Sequence, residues 1–159
     1  MSNDYHIAQV NIARMLAPID SDIMAGFVAR LDEINALADQ AEGFIWRLQS
    51  DDGNATDIRV FDDDMLIVNL SVWESVEALH AYTYKTDHAQ LIKGRKQWFS
   101  QLGSHHMAIW YIPAGQLPTT DDARAKLEYL DAHGATPESF TFAHRFTLNQ
   151  WLASQNDDS

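Results

Sequence analysis

The stretch that decides the fold runs from Met65 to Phe99, MLIVNLSVWESVEALHAYTYKTDHAQLIKGRKQWF. From Met65 to Trp73 the residues alternate: Leu66, Val68, Leu70 and Val72 share one side, and Ile67, Asn69, Ser71 and Trp73 the other. That two-residue period is the signature of a β-strand. Ser75 then offers a side-chain cap, and a helix follows to about Tyr84. Thr86 or Asp87 caps a further helix predicted from His88 to Gln101, with Gly103 as its stop. Both sides of the strand carry large apolar groups, so both sides need cover.

Working outward, His6 to Ala13 alternates as a strand, with Ala8, Val10 and Ile12 opposite Ile7, Gln9 and Asn11. Asp20 or Ser21 can cap a helix to about Ala41, whose Ile23, Phe27, Leu31, Ile34 and Ala38 recur at helical spacing. Gly43 ends it, and Phe44 to Leu48 reads as a strand. The polar segment Gln49 to Asp64 is a long hairpin connection, extended through Ile58 to Phe61. His105 to Ile112 is a fourth strand ended by Pro113. Thr119 or Thr120 caps a helix to His133, with Asp121 and Asp122 suited to its positive end and Gly134 at its C-terminus. After Ala135 the pattern is irregular: TPESFTFAHRF lays Phe140, Phe142 and Phe146 over the core, and SQNDDS frays.

The resulting order, strand-helix-strand-strand-helix-strand, is that of an α+β ferredoxin-like βαββαβ protomer, an antiparallel sheet with helices on one face. Residues 1–142 form one domain with an appended helix over 119–134, and 143–159 form a partly disordered C-terminal extension. The sheet's second apolar face is assigned to a partner sheet, and a homodimer is the simplest source of one.

Composition narrows the function classes. At 159 residues and 46% hydrophobic content, the chain fits one globular domain with a real core. The absence of cysteine excludes disulfides, thiolate nucleophiles and Cys-based zinc sites. The formal net charge of -12, from 11 Lys and Arg against 23 Asp and Glu, argues against nucleic-acid binding, which needs a basic stripe. The start MSNDYHIAQV has no secretory pattern, and no apolar run reaches the roughly 20 residues of a membrane span, so a soluble cytoplasmic protein is expected. The acidic segment DDGNATD lacks the spacing of a calcium loop and reads as solvated charge. No metal site is expected either: His105 and His106 point to opposite sides of a strand, and His80 and His88 lie two helical turns apart. GxSxG, Walker and GxGxxG patterns are absent.

VWESVEAL followed by YKTDH resembles the dimeric α/β-barrel superfamily, which includes the antibiotic biosynthesis monooxygenases. GFIWRL, SVWESVEALHAYTY, RKQWF and IWYIPAGQLPT are similar, more narrowly, to a bacterial family of unknown function within that fold. The resemblance spans about Ile7 to Phe142 and implies two protomers packed sheet against sheet, with a ligand cleft between each sheet and its own helices. It implies a small-molecule-binding protein or cofactor-independent monooxygenase-like enzyme acting on a planar organic substrate. The alternatives are a non-catalytic dimer with a filled cleft and a haem-binding protein. Haem-degrading members use an Asn, a Trp and a His. Asn11 matches the first, but Tyr82 and Arg95 stand near the other two, so no cofactor is expected and haem is disfavoured.

Within such a cleft His88 is the candidate general base and Arg95 the candidate enolate or carboxylate clamp, since both share a helical face with Leu91, Ile92 and Phe99. The plainer reading caps a helix with His88 and sends Arg95 to solvent. Tyr82, Tyr84 and Trp98 are candidate stacking walls, and Trp73 and Phe99 complete the apolar lining, although aromatics at such spacing equally make core. Asn11 and Asn69 lie on the mixed faces of two strands, where a buried amide must orient a ligand or bond a neighbour.

Overall fold

The computed structural model describes residues 5–18, 20–48, 66–85, 99–100 and 107–157. Their elements are β1 (Tyr5–Met15), α1 (Ala25–Asp39), β2 (Phe44–Arg47), β3 (Leu66–Trp73), α2 (Val76–Lys85), β4 (Phe99–Ser100), β5 (Met107–Pro113), α3 (Thr120–His133) and α4 (Leu148–Asp157). Every strand pair is antiparallel. β1 lies at the centre, with β3 on one side and β2 beyond it. On its other side β5 pairs Tyr5 to Asn11, and the short β4 pairs Arg14 and Met15 along the same edge. The sheet is therefore four strands wide, an α+β arrangement.

The alternation in β1, β3 and β5 divides the core into two layers. Ala8, Val10 and Ile12, Val68, Leu70 and Val72, and Ala108, Trp110 and Ile112 pack as one cluster with Ala123, Leu127 and Leu130 of α3. On the opposite face Ile7, Trp73 and Ile109 pack with Ala38 of α1, Val76, Leu79 and Tyr82 of α2, and Phe140. Helices thus lie on both faces rather than one. On the face opposite α1 and α2, Ala123, Leu127 and Leu130 of α3 pack over β1 and β5.

Local chemistry explains most element ends. Thr119 caps α3 in a reciprocal capping box: its hydroxyl accepts from the Asp122 amide at 3.0 Å, and the Asp122 carboxylate accepts from the Thr119 amide at 2.9 Å. Gly134 closes the helix at φ 74°, with its amide donating to the Leu130 carbonyl at 2.8 Å. Ser75 caps α2 through the Ala78 amide at 3.1 Å.

Three expectations change. The first helix begins at Ala25 because the Ser21 hydroxyl donates to the Pro18 carbonyl and so is spent on a turn, leaving Met24 as an uncapped N-cap. Met24 is fully buried, while Ile23 is 56% exposed and drops out of the core stripe. Phe99 and Ser100, assigned to the end of a helix from His88 to Gln101, are a strand instead: β1 extends beyond its partnership with β5, and its free backbone takes them up. The third concerns the tail. Ser139 and Phe140 are buried, Phe140 exchanges both backbone hydrogen bonds with Ile109 at 2.8 and 2.9 Å, and α4 runs on to Asp157 through a stretch read as irregular. The predicted connection over Gln49 to Asp64 lies outside the described residues.

Candidate functional site

The antiparallel register assembles a polar strip on the sheet face beneath α1 and α2. Gln9 stands opposite Ser71, and Asn11 opposite Asn69. Residues directly opposite point to the same side, so four short polar side chains meet in the middle of an otherwise apolar layer. Gln9 is 2% exposed. Its amide nitrogen donates to Asn69 Oδ1 and to Ser71 Oγ, both at 2.7 Å, and its carbonyl accepts from Asn11 Nδ2 at 3.3 Å. Trp73 Nε1 donates to the same Ser71 Oγ at 2.8 Å. Both acceptor positions of the Ser71 hydroxyl are thereby filled, which turns its proton into a donor for another group. Asn69 is exposed and Asn11 half-buried, so the strip opens toward solvent at their end.

Aromatic groups flank the strip. Trp73 meets Phe44 edge-on at 5.3 Å between ring centroids and lies against Tyr82 at 5.1 Å, tilted by 32°. Burial, reinforced by the Asp39 carboxylate and opposed by the Arg47 guanidinium, pushes the Tyr82 phenol up to about 12. Tyr82 is therefore a neutral group at ordinary pH.

A cation stands beside the same row. A β-bulge between Phe44 and Trp46 shifts the register by one residue, so that Trp46 pairs with Val72 and Arg47 with Ser71. Without that extra residue Arg47 would face the opposite layer. The Arg47 side chain is only 12% exposed, and Asp39 orients it through Nε at 2.8 Å and a second contact at 3.4 Å.

Of the residues singled out in the sequence, Asn11, Asn69, Trp73 and Tyr82 therefore come together on one face. Tyr84 lies on α2 and Phe99 in β4, with their side chains outside the described set. His88, Arg95 and Trp98 lie outside the described residues. Sequence reasoning missed Gln9, Ser71 and Arg47. The alternation in β1 and β3 already put Gln9 and Ser71 on the mixed faces, so those two were recoverable, whereas the bulge that turns Arg47 inward has no sequence signal of its own. Among the described residues no His, Asp and Glu side chains gather into a metal-binding group, and no helix is long and apolar enough to cross a membrane.

Comparison with solved structures finds distant likenesses. A protein of unknown function from Nitrosomonas europaea is 13% identical with a TM-score of 0.46, covering 74% of this chain and 98% of that one. A protein from Pseudomonas aeruginosa gives 13% and 0.45, with coverage of 73% and 98%. A conserved protein of unknown function from Bacteroides thetaiotaomicron, described as a possible oxidoreductase, gives 13% and 0.42, with coverage of 70% and 98%. No curated protein matches the chain. A family model does: it spans residues 6–156, from the first strand through the last helix, and the chain belongs to that family, described as a domain of unknown function, DUF3291.

Proposed function

We propose that this chain binds a planar small organic molecule on the sheet face beneath α1 and α2, within a ferredoxin-like frame, with the Gln9–Asn11–Asn69–Ser71 strip as its hydrogen-bonding floor. The observation that carries the reading is the burial of Gln9 at 2% exposure in a network made entirely of side chains. Apolar residues would fill those positions without the desolvation cost of amides, so the strip has a use beyond packing. Its free valences are the Ser71 proton and the outward amide groups of Asn11 and Asn69, which suit a carbonyl-bearing ligand. Trp73 and Tyr82 supply flat apolar surface beside it.

In the enzymatic form of this reading, a monooxygenase-like reaction without cofactor, the hard step is removal of a proton next to the substrate carbonyl. His88 is then the base and Arg95 the enolate clamp. Unchanged activity in His88→Ala and Arg95→Ala would remove those roles.

A second reading has its own observation. Gln9 already has both N–H groups and its carbonyl engaged within the strip, as in a network that only ties β1 to β3. Native mass spectrometry of the intact protein from its own host separates the two. The ligand reading expects a retained mass that is lost in Asn69→Ala, a variant at the exposed end of the strip. Absence of any retained mass, with Asn69→Ala indistinguishable from wild type, supports the structural network instead.

A further inference from the structure

The C-terminal segment packs along β5, and it has two differently fastened parts. The inner part is anchored. Phe140 is fully buried, it exchanges backbone hydrogen bonds with Ile109, and the Ser139 hydroxyl donates to the Lys126 carbonyl on α3 at 2.9 Å.

The outer part, residues 142–157, is fastened by side chains. Phe142 meets His80 of α2 edge-on at 5.2 Å. Phe146 rests on Phe140 at 5.9 Å, and its carbonyl accepts from the Tyr111 hydroxyl at 2.7 Å. Trp151 on α4 stacks on Tyr111 at 6.0 Å and meets Tyr5 edge-on at 5.5 Å. Glu138 gathers Lys126 of α3 at 3.1 Å together with Gln155 and Trp151 of α4. Among the described residues, no backbone-to-backbone hydrogen bond ties the part beyond Phe140 to the sheet. Within itself the arm is well formed: Thr147 and Gln150 cap α4 reciprocally at 3.1 and 2.7 Å. A preformed piece held by partly exposed ring edges and one carboxylate belongs to the low-stability end of a fold, where local opening precedes global unfolding.

We propose that residues 142–157 form a detachable arm that covers Phe140, Tyr111 and Tyr5 at the β5 edge, latched to the body by Trp151 and Glu138. The detachment does not rest on the ligand reading above.

Arg145 is the only Lys or Arg between residues 139 and 159, so trypsin reports on the arm of the full-length chain directly. In wild type, cleavage after Arg145 is expected ahead of cleavage at Arg14 or Arg47 in the sheet. Trp151→Ala and the milder Glu138→Gln should each speed the Arg145 cut, by about tenfold or more for the tryptophan. Amide hydrogen exchange in the β1–β3 ladder should stay at wild-type rates in both. Emission from added 8-anilinonaphthalene-1-sulfonate should rise in the same variants, as the wall over Phe140 and Tyr111 is uncovered. Exchange in β1 and β3 rising in step with Arg145 cleavage would overturn the detachable arm, and so would an unchanged rate of cleavage in both variants. Faster cleavage without added dye emission would overturn the covering of Phe140 and Tyr111 by the arm. Since none of these measurements involves the natural ligand, failure of the ligand reading shows separately, in the mass spectrum of the host protein.

Discussion

Replacing Gln9 by Leu removes one carboxamide but strands several partners at once. Asn11 Nδ2 loses its acceptor, and Asn69 Oδ1 and Ser71 Oγ lose a donor. Asn69 is exposed and turns to water, whereas Ser71 is 5% exposed and keeps only Trp73. A buried polar group left without its partner costs about 1–3 kcal/mol. Gln9→Leu should therefore lower stability in urea by about 1–2 kcal/mol, and Asn69→Ala by less, because it frees a single Gln9 N–H at the end of the strip that water reaches. Equal losses in the two variants would mean that the strip is not organised around Gln9. Tyr82 makes a second prediction at this scale. Its phenol ionises near 12 in the folded chain against 10.0 ordinarily, chiefly because it is buried. Between those values the unfolded chain gives up a proton that the folded chain keeps, so stability contributed by Tyr82 is full below pH 10 and declines toward pH 12. Tyr82→Phe should flatten that decline and delete a step near 12 from the tyrosinate absorbance titration. These residues were unequally readable beforehand. Strand alternation put Asn69, Ser71 and Trp73 on one side of β3 and Gln9 and Asn11 on one side of β1, but joining the two sets needs the register between β1 and β3, which two separate strand patterns do not specify.

Elements whose limits are set by local chemistry were the readable ones. The Thr119–Asp122 capping box and Gly134 bound α3 as the sequence implied, because caps act within a single turn. Elements set by partners were not. β4 exists because the end of β1 has free backbone groups, and the start of α1 moves because Ser21 finds Pro18 first. Glycine separates the two kinds of constraint quantitatively. Gly43 and Gly134 both have positive φ, 83° and 74°, where an L side chain costs about 1–2 kcal/mol. A Cβ on Gly134 meets nothing within 4 Å, whereas one on Gly43 would sit 2.5 Å from the Ala78 Cβ on α2. The Gly43 carbonyl also accepts from the Glu74 amide at 2.7 Å, which pins the turn against the start of that helix. Gly134→Ala should thus cost about 1–3 kcal/mol, since its ψ of -173° adds to the strain of a positive φ, and Gly43→Ala more still, through displacement of α2. Urea denaturation of the two variants checks the ordering, and a milder Gly43→Ala would mean that α2 yields freely.

At the scale of the whole molecule, the boundary of the folding unit is decided by where the core ends, and hydrophobic pattern alone underweights the C-terminal segment. A division at residue 142 keeps Phe140 inside the domain but treats residues 143–159 as an appendage with little structure. Ser139 and Phe140 are fully buried, and Phe140 completes the layer of Ile7, Trp73 and Ile109. Beyond it, Phe142 and Phe146 are only partly buried at the margin of that layer, and α4 touches the body through Trp151 and Gln155. Two truncations therefore separate core from arm. A chain ending at Thr141 keeps Phe140 and its bonds to Ile109, and should melt cooperatively with native-like circular dichroism, at a temperature lower by several degrees. A chain ending at Ala135 loses Phe140, whose removal alone costs about 3–5 kcal/mol, a large part of the roughly 5–15 kcal/mol that holds a domain together. It also bares the apolar groups over Ile109, so it should populate an expanded, dye-binding state or fail to fold at 37 °C. If both truncations melt alike, Phe140 is not the edge of the core, and the two-part construction of the C-terminal segment falls with it.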